Sequence, residues 1–209
     1  MSEPRLSTLK AEPQADLLPG AHLGKYELIR RLSVGGMAEI FLARARGVQG
    51  FAVQVAIKRI LPQLAAQREF VELFLDEARL AATLQHPHIV QIHDVCALDD
   101  SYFLAMEYLH GQDVNAILRA SYDAGRRVPL EIAVQIVIAL LSALHYAHEK
   151  ESEDGTPLHV VHRDVSPSNV VVTYEGGITL VDFCIATAAV RAAEQRSGDV
   201  HGKLVYMSP

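Results

Sequence analysis

The sequence predicts an α+β fold of two lobes with a cleft between them. Two observations carry this reading. The first half alternates short β-branched runs with a single amphipathic helical stripe, whereas the second half is dominated by long helix-like segments. Between the second-half helices and the end lies a polar motif, VHRDVSPSNV (161–170), followed by an apolar run ending in an acid, ITLVDF (178–183). Polar groups set between apolar strands suit a cleft rather than a core.

The elements follow in order. Residues 1–24 are polar and hold Pro4, Pro13 and Pro19, the composition of a flexible tail. Residues 26–32 begin a strand, 33–38 break it at Gly35-Gly36, and 39–46 and 51–60 supply two more strands rich in Val and Ile. Pro62 opens a helical region in which Phe70, Leu73, Phe74, Leu80, Ala81 and Leu84 recur at three- and four-residue steps. His86-Pro87 ends it. Residues 89–97 and 102–109 read as strands, and Gly111 marks a boundary. Helices are expected at 113–124 and 130–149, then a charged loop at 149–157. A hairpin of 170–173 and 178–181 turns at Glu175-Gly176-Gly177.

Composition limits the function. The chain has 209 residues, half of them hydrophobic, enough for one domain or two small lobes. The net charge is −6 and no basic stripe is present, so nucleic acid is not an expected partner. Cys96 and Cys184 stand far apart without metal-ligand spacing, which fits reduced thiols in a cytoplasm. The first twenty residues carry Glu3, Lys10, Glu12 and Asp16 with no apolar core, unlike a signal peptide. The apolar run 132–147 contains Gln135, Ser142 and His145 and is short for a membrane span, so a buried helix is expected.

The motif itself points to phosphoryl transfer. Asp164 and Asn169 lie five apart, and Asp182 follows thirteen residues later. One carboxylate can orient a hydroxyl while the amide and the second carboxylate hold Mg²⁺. The stretch resembles the catalytic loop and metal-binding motif of eukaryotic-type protein kinases. From Tyr26 onward the chain is similar to the bacterial serine/threonine kinases of that type, as GKYELIRRLSVGGMAEIFLAR and VHRDVSPSNVVV illustrate.

The resemblance implies a bilobal kinase-like fold: residues 25–109 as the N-lobe and hinge, 110–209 as a partial helical C-lobe. It implies ATP and Mg²⁺ as cofactors, protein substrates and a cytoplasmic location. Lys58, in VAIK, would hold the ATP phosphates. Glu77 falls on the apolar stripe of its helix, where a carboxylate needs a partner, and would pair with Lys58. Asp164 would orient the acceptor hydroxyl, and Asn169 and Asp182 would hold the metal. Ser33, Val34, Gly35 and Gly36 take the place of the glycine loop, with backbone free to approach phosphate. Met106, Glu107 and Leu109 would form the hinge behind and beside adenine, Asp113 would reach the ribose, and Val34, Ile40, Ala56 and Val171 would sandwich the purine.

The chain departs from the family pattern at four points. The lysine expected two residues after the catalytic aspartate is Ser166, and Cys184 stands where the family has the glycine of its DFG motif. Lys203 occupies the place of a threonine beside the catalytic loop, which suggests that its ammonium replaces the missing lysine. The chain stops at Pro209, where roughly a third of a kinase domain of usual size would follow. The apolar helix at 132–147 would then lose cover, and its exposed face would favour self-association. These departures frame an alternative, a pseudokinase-like module that binds nucleotide or a partner without catalysis. Ser197, in a polar stretch, is a candidate phosphorylation site facing Arg163.

Overall fold

A computed structural model describes residues 19–47, 51–98 and 101–183, apart from the side chain of Glu77. The first lobe is a six-stranded antiparallel sheet. Its strands are β1 (His22–Leu23), β2 (Tyr26–Val34), β3 (Ala38–Arg46), β4 (Ala52–Ile60), β5 (Ile92–Leu98) and β6 (Ser101–Glu107), in the order β1-β2-β3-β4-β6-β5. A short helix α1 (Pro62–Ala65) and a longer one, α2 (Arg68–Ala82), lie between β4 and β5.

The strands' two-residue alternation divides their side chains between two cores. Leu28, Phe41, Val55, Ile57 and Phe103 fill one face. On the other, Ala56, Ile60, Leu104 and Met106 pack under Phe70, Val71, Phe74 and Ala78 of α2, the helical stripe legible in the sequence. The sheet is strongly curled. Tyr26 on β2 donates its hydroxyl to Asp94 on β5 at 3.0 Å, and the Lys25 ammonium meets the same carboxylate at 2.8 Å, although these strands stand near opposite edges of the sheet.

The second lobe holds β7 (Gly111–Asp113), α3 (Val114–Asp123), α4 (Leu130–His148), a 3-10 turn (Pro167–Asn169), β8 (Val170–Thr173) and β9 (Ile178–Leu180). The last two strands form the expected hairpin, turning through Gly176 at φ 91°, and β7 pairs with β8 on the other side. Asp113 caps α3, its Oδ1 accepting from the Ala116 N–H at 2.9 Å. On α4 the small residues Ala139, Ala143 and Ala147 are buried at four-residue steps, the latter two against Leu84, Val160 and Leu180. The opposite face, with Val137, Ile138 and Leu141, is exposed. This helix is long and apolar enough to cross a membrane, and 22% of its apolar stretch is buried, so the buried helix expected from the sequence is corrected to one covered along its alanine stripe.

Four expected boundaries are corrected. The tail expected over residues 1–24 does not include His22 and Leu23, which pair with β2 as β1, with Leu23 buried in the core. The break at 33–38 is shorter, because Ser33 and Val34 still pair with Ile40 and Glu39 and the chain turns only through 35–37. The strand expected at 89–97 starts at Ile92, since Ile89 forms a parallel bridge with Leu180 and Val90 N–H donates to the Leu180 carbonyl instead. The strand expected at 102–109 ends at Glu107, leaving residues 108–110 as an extended link into β7.

Candidate active site

The site is assembled from three places in the chain. Lys58 sits on β4 in a cross-strand row with Ser33, Ile40 and Leu104. Alternation puts it on the face of Ala56, toward the second lobe. Its ammonium donates to Asp182 Oδ1 at 2.8 Å, with the two side chains 15% and 29% exposed. A pair this sheltered keeps more of its Coulomb attraction than a surface pair would. Asp182 follows β9 in the left-handed region, φ 59°, a conformation aspartate tolerates better than most residues.

The loop before β8 carries the second pair. Asn169 Nδ2 donates to the Asp164 carbonyl at 2.8 Å and to its Oδ2 at 2.9 Å. Because the amide nitrogen is committed to Asp164, the amide oxygen is turned away from that carboxylate. The Val181 N–H donates to the Asn169 carbonyl at 2.9 Å, tying this loop to the residue before Asp182. His162 is buried beneath both. Its Nδ1 accepts from the Asp164 N–H at 3.2 Å, so the ring proton resides on Nε2, which donates to the Val181 carbonyl at 3.0 Å. The ring also lies 4.6 Å from that of Phe183. One imidazole thus sets the height of both aspartates.

Between the lobes lies an open cleft with a volume of about 540 Å³. Of the residues expected to hold nucleotide, Ser33, Ile40, Ala56, Met106, Glu107, Leu109, Asp113 and Val171 line it, together with Asp182. Lys58 reaches Asp182 at an adjoining small apolar pocket, shared with Met106 and Phe183. Val34, Gly35 and Gly36 are not among the lining residues, and Val34 is 57% exposed. In their stead Arg30 and Leu32 face the cleft, with Val90, Ser168 and Val181 completing it.

The cause of that exchange is backbone register. Strand β2 slips against β3 twice, between Leu28 and Arg30 and again between Arg31 and Ser33. Each extra residue moves the following side chains to the other face. After the first slip the even residues Arg30 and Leu32 point into the cleft, and after the second Ser33 does, which turns Val34 outward. A uniform two-residue alternation, all that the sequence suggests, misses Leu32. Ser166, in the place of the expected lysine, is buried, with its Oγ 3.0 Å from Ser168 Oγ. Glu77 is carried by α2, but its side chain, and Cys184, Ser197 and Lys203 altogether, lie outside the described residues. The expected Lys58–Glu77 and Lys203–Asp164 pairs lie outside them for the same reason.

The donor set suits Mg²⁺. Asn169 and Asp182 contribute an amide and a carboxylate oxygen, hard donors of the kind a small divalent cation takes when phosphates and waters complete its shell. Among the described residues no group of three or more His, Cys, Asp or Glu could hold a metal by itself.

A curled sheet with one long helix, a lysine–aspartate pair and an aspartate–asparagine loop thus meet at one cleft. The model of the protein kinase domain matches residues 26–209, and the chain belongs to that family. It is 48% identical over 186 residues, 89% of its length, to the tyrosine-protein kinase MasK of Myxococcus xanthus. It is 34% identical, again over 89% of its length, to the serine/threonine-protein kinase PrkC of Bacillus subtilis. The chain spans 29% and 26% of these two relatives' lengths. The crystal structure of the Mycobacterium tuberculosis PknI kinase domain superposes with a TM-score of 0.65 at 33% identity, covering 80% of this chain and 63% of that one.

Proposed function

We propose that this chain carries the nucleotide site and catalytic loop of a protein serine/threonine kinase, which transfers the γ-phosphoryl group of MgATP to a protein hydroxyl. The observation that carries the reading is the convergence of the Lys58–Asp182 and Asp164–Asn169 pairs at one cleft, each within hydrogen-bond distance and tied together through Val181 and His162. Bound Mg²⁺ would neutralise the phosphate oxygens and draw charge from the leaving ADP.

The residues then divide the work. Glu107 and Leu109 offer backbone groups to adenine, Met106 closes the rear, and Leu32, Ala56 and Val171 cover its faces. Asp113 is positioned for the ribose edge. Lys58 aligns the phosphates, while Asn169 and Asp182 hold the metal. Asp164 accepts the proton as the acceptor oxygen bonds to phosphorus and the bond to ADP breaks. Most of the acceleration comes from fixed geometry and preset charge. A cytoplasmic site of action goes with this reading, because MgATP is the phosphoryl donor.

Ser166 favours a wider choice of acceptor. A short buried hydroxyl turned toward Ser168 occupies less room beside Asp164 than a lysine would, which suits a phenolic acceptor as well as an aliphatic one. The relative named a tyrosine-protein kinase supports the same extension.

The test has two stages. MgATP at millimolar concentration should raise the melting temperature of the folded chain, and Lys58→Ala should remove the shift. Radiolabelled ATP with matched serine, threonine and tyrosine peptides then reads the acceptor. Folded protein with no shift would refute the nucleotide site. A shift without transfer to any peptide would favour the binding-only alternative.

A further inference from the structure

Strand β9 is three residues long, yet it must deliver Asp182 to Lys58. Strand β8 binds one of its edges. The other edge is held by residues 88–90, and in part by a side chain. His88 Nδ1 lies 2.8 Å from the Ile178 carbonyl, so this nitrogen carries the proton and donates. The His88 carbonyl accepts from the Leu180 N–H at 2.9 Å, and the Val90 N–H donates to the Leu180 carbonyl at 3.0 Å.

His88 is itself anchored. Its backbone N–H donates to His86 Nδ1 at 3.2 Å. His86 must then carry its proton on Nε2, which donates to Ser142 Oγ at 3.2 Å, and its ring stacks on Tyr146 with centroids 5.2 Å apart. The two histidines hold opposite tautomers, and between them they connect α4 to the first residue of β9.

We propose that His88 is a positioning residue for Asp182, a second histidine acting on the opposite side of the strand from His162. His162 fixes the carbonyl just before Asp182, and His88 fixes the carbonyl where β9 begins. With both ends of so short a strand pinned, the carboxylate is held at the distance that Lys58 and a metal-bound nucleotide require. This inference rests on the proposed nucleotide site and adds a residue to it.

One neutral hydrogen bond lost from such a short element corresponds to roughly a three- to tenfold change in an equilibrium constant. Isothermal titration with MgADP, and with adenosine in the absence of metal, separates positioning from general damage. His88→Ala should weaken MgADP binding about three- to tenfold while leaving adenosine binding unchanged. His88→Asn should restore MgADP binding, because the asparagine amide nitrogen reaches the place of ring Nδ1. Unchanged MgADP affinity in His88→Ala would overturn the proposal. So would an equal loss of adenosine binding, or an asparagine variant no better than alanine. Wild-type protein that binds no MgADP would instead refute the nucleotide site itself.

Discussion

Shortening Leu32 to alanine should weaken nucleotide binding, and the same change at Val34 should not. Leu32 lines the cleft and is half-buried, whereas Val34 lies outside the lining and is 57% exposed. Leu32→Ala removes three carbons, about 2.4 kcal/mol of apolar contact if all were covered, at about 0.8 kcal/mol each. A nucleotide covers only the side that faces the cleft, so about 1 kcal/mol is the expected loss, or roughly fivefold in the dissociation constant. Val34→Ala should change that constant by less than about twofold. The assay is calorimetric titration of MgADP into each variant, with circular dichroism to confirm the fold. If Val34→Ala weakens binding as much as Leu32→Ala, or Leu32→Ala has no effect, the two register slips do not aim β2 into the cleft.

The sheet closure should depend on acid. The Lys25 ammonium, and next the Tyr26 hydroxyl, hold the Asp94 carboxyl below its ordinary range, while burial and then Asp94 push the Tyr26 phenol up to about 12. The folded chain releases the Asp94 proton more readily than the unfolded chain. The pair therefore stabilises above the ordinary carboxyl pKa of 3.8, and the gain disappears as pH falls through the lower, folded value. Denaturation followed between about pH 7 and pH 3 should find wild type more stable than Asp94→Asn at the upper end and the two converging at the lower. A constant gap would refute this. At Gly111, a Cβ would overlap the Val172 carbonyl oxygen and the Thr173 Cα, both backbone atoms that cannot step aside. Gly111→Ala should cost about 2 kcal/mol or more in urea unfolding, and an unchanged midpoint would show that β7 and β8 separate freely.

Much of the molecule was legible along the chain. The helical stripe of α2, the Val- and Ile-rich strands and the Glu175-Gly176-Gly177 turn depend on local periodicity and turn chemistry, which a sequence states directly. The same holds for the chemistry. Asp164, Asn169 and Asp182 are bound together by a short spacing that few other functions need, and the structure brings Asp164 onto Asn169 and Asp182 onto Lys58.

What the sequence could not state is how side chains are aimed. Periodicity counts residues but does not count hydrogen bonds between strands, so the two slips in β2 that turn Leu32 into the cleft and keep Val34 on the face of Leu28 leave no trace in composition. Likewise His86-Pro87 read as a helix stop, and His88 carried no signal. Only the packing of residues 88–90 against β9 and of His86 against Tyr146 gave the two rings defined protons and partners. Asp94 and Tyr26 are 68 residues apart, and nothing in either neighbourhood foretells their contact, because it is created by the curl of the whole sheet. The sequence by itself determined most of the element types and the family, and it marked the candidate site residues, since these depend on local pattern. The tertiary structure decided which face each strand residue presents, which histidine nitrogen donates and where the sheet closes, since those depend on register and long-range contact.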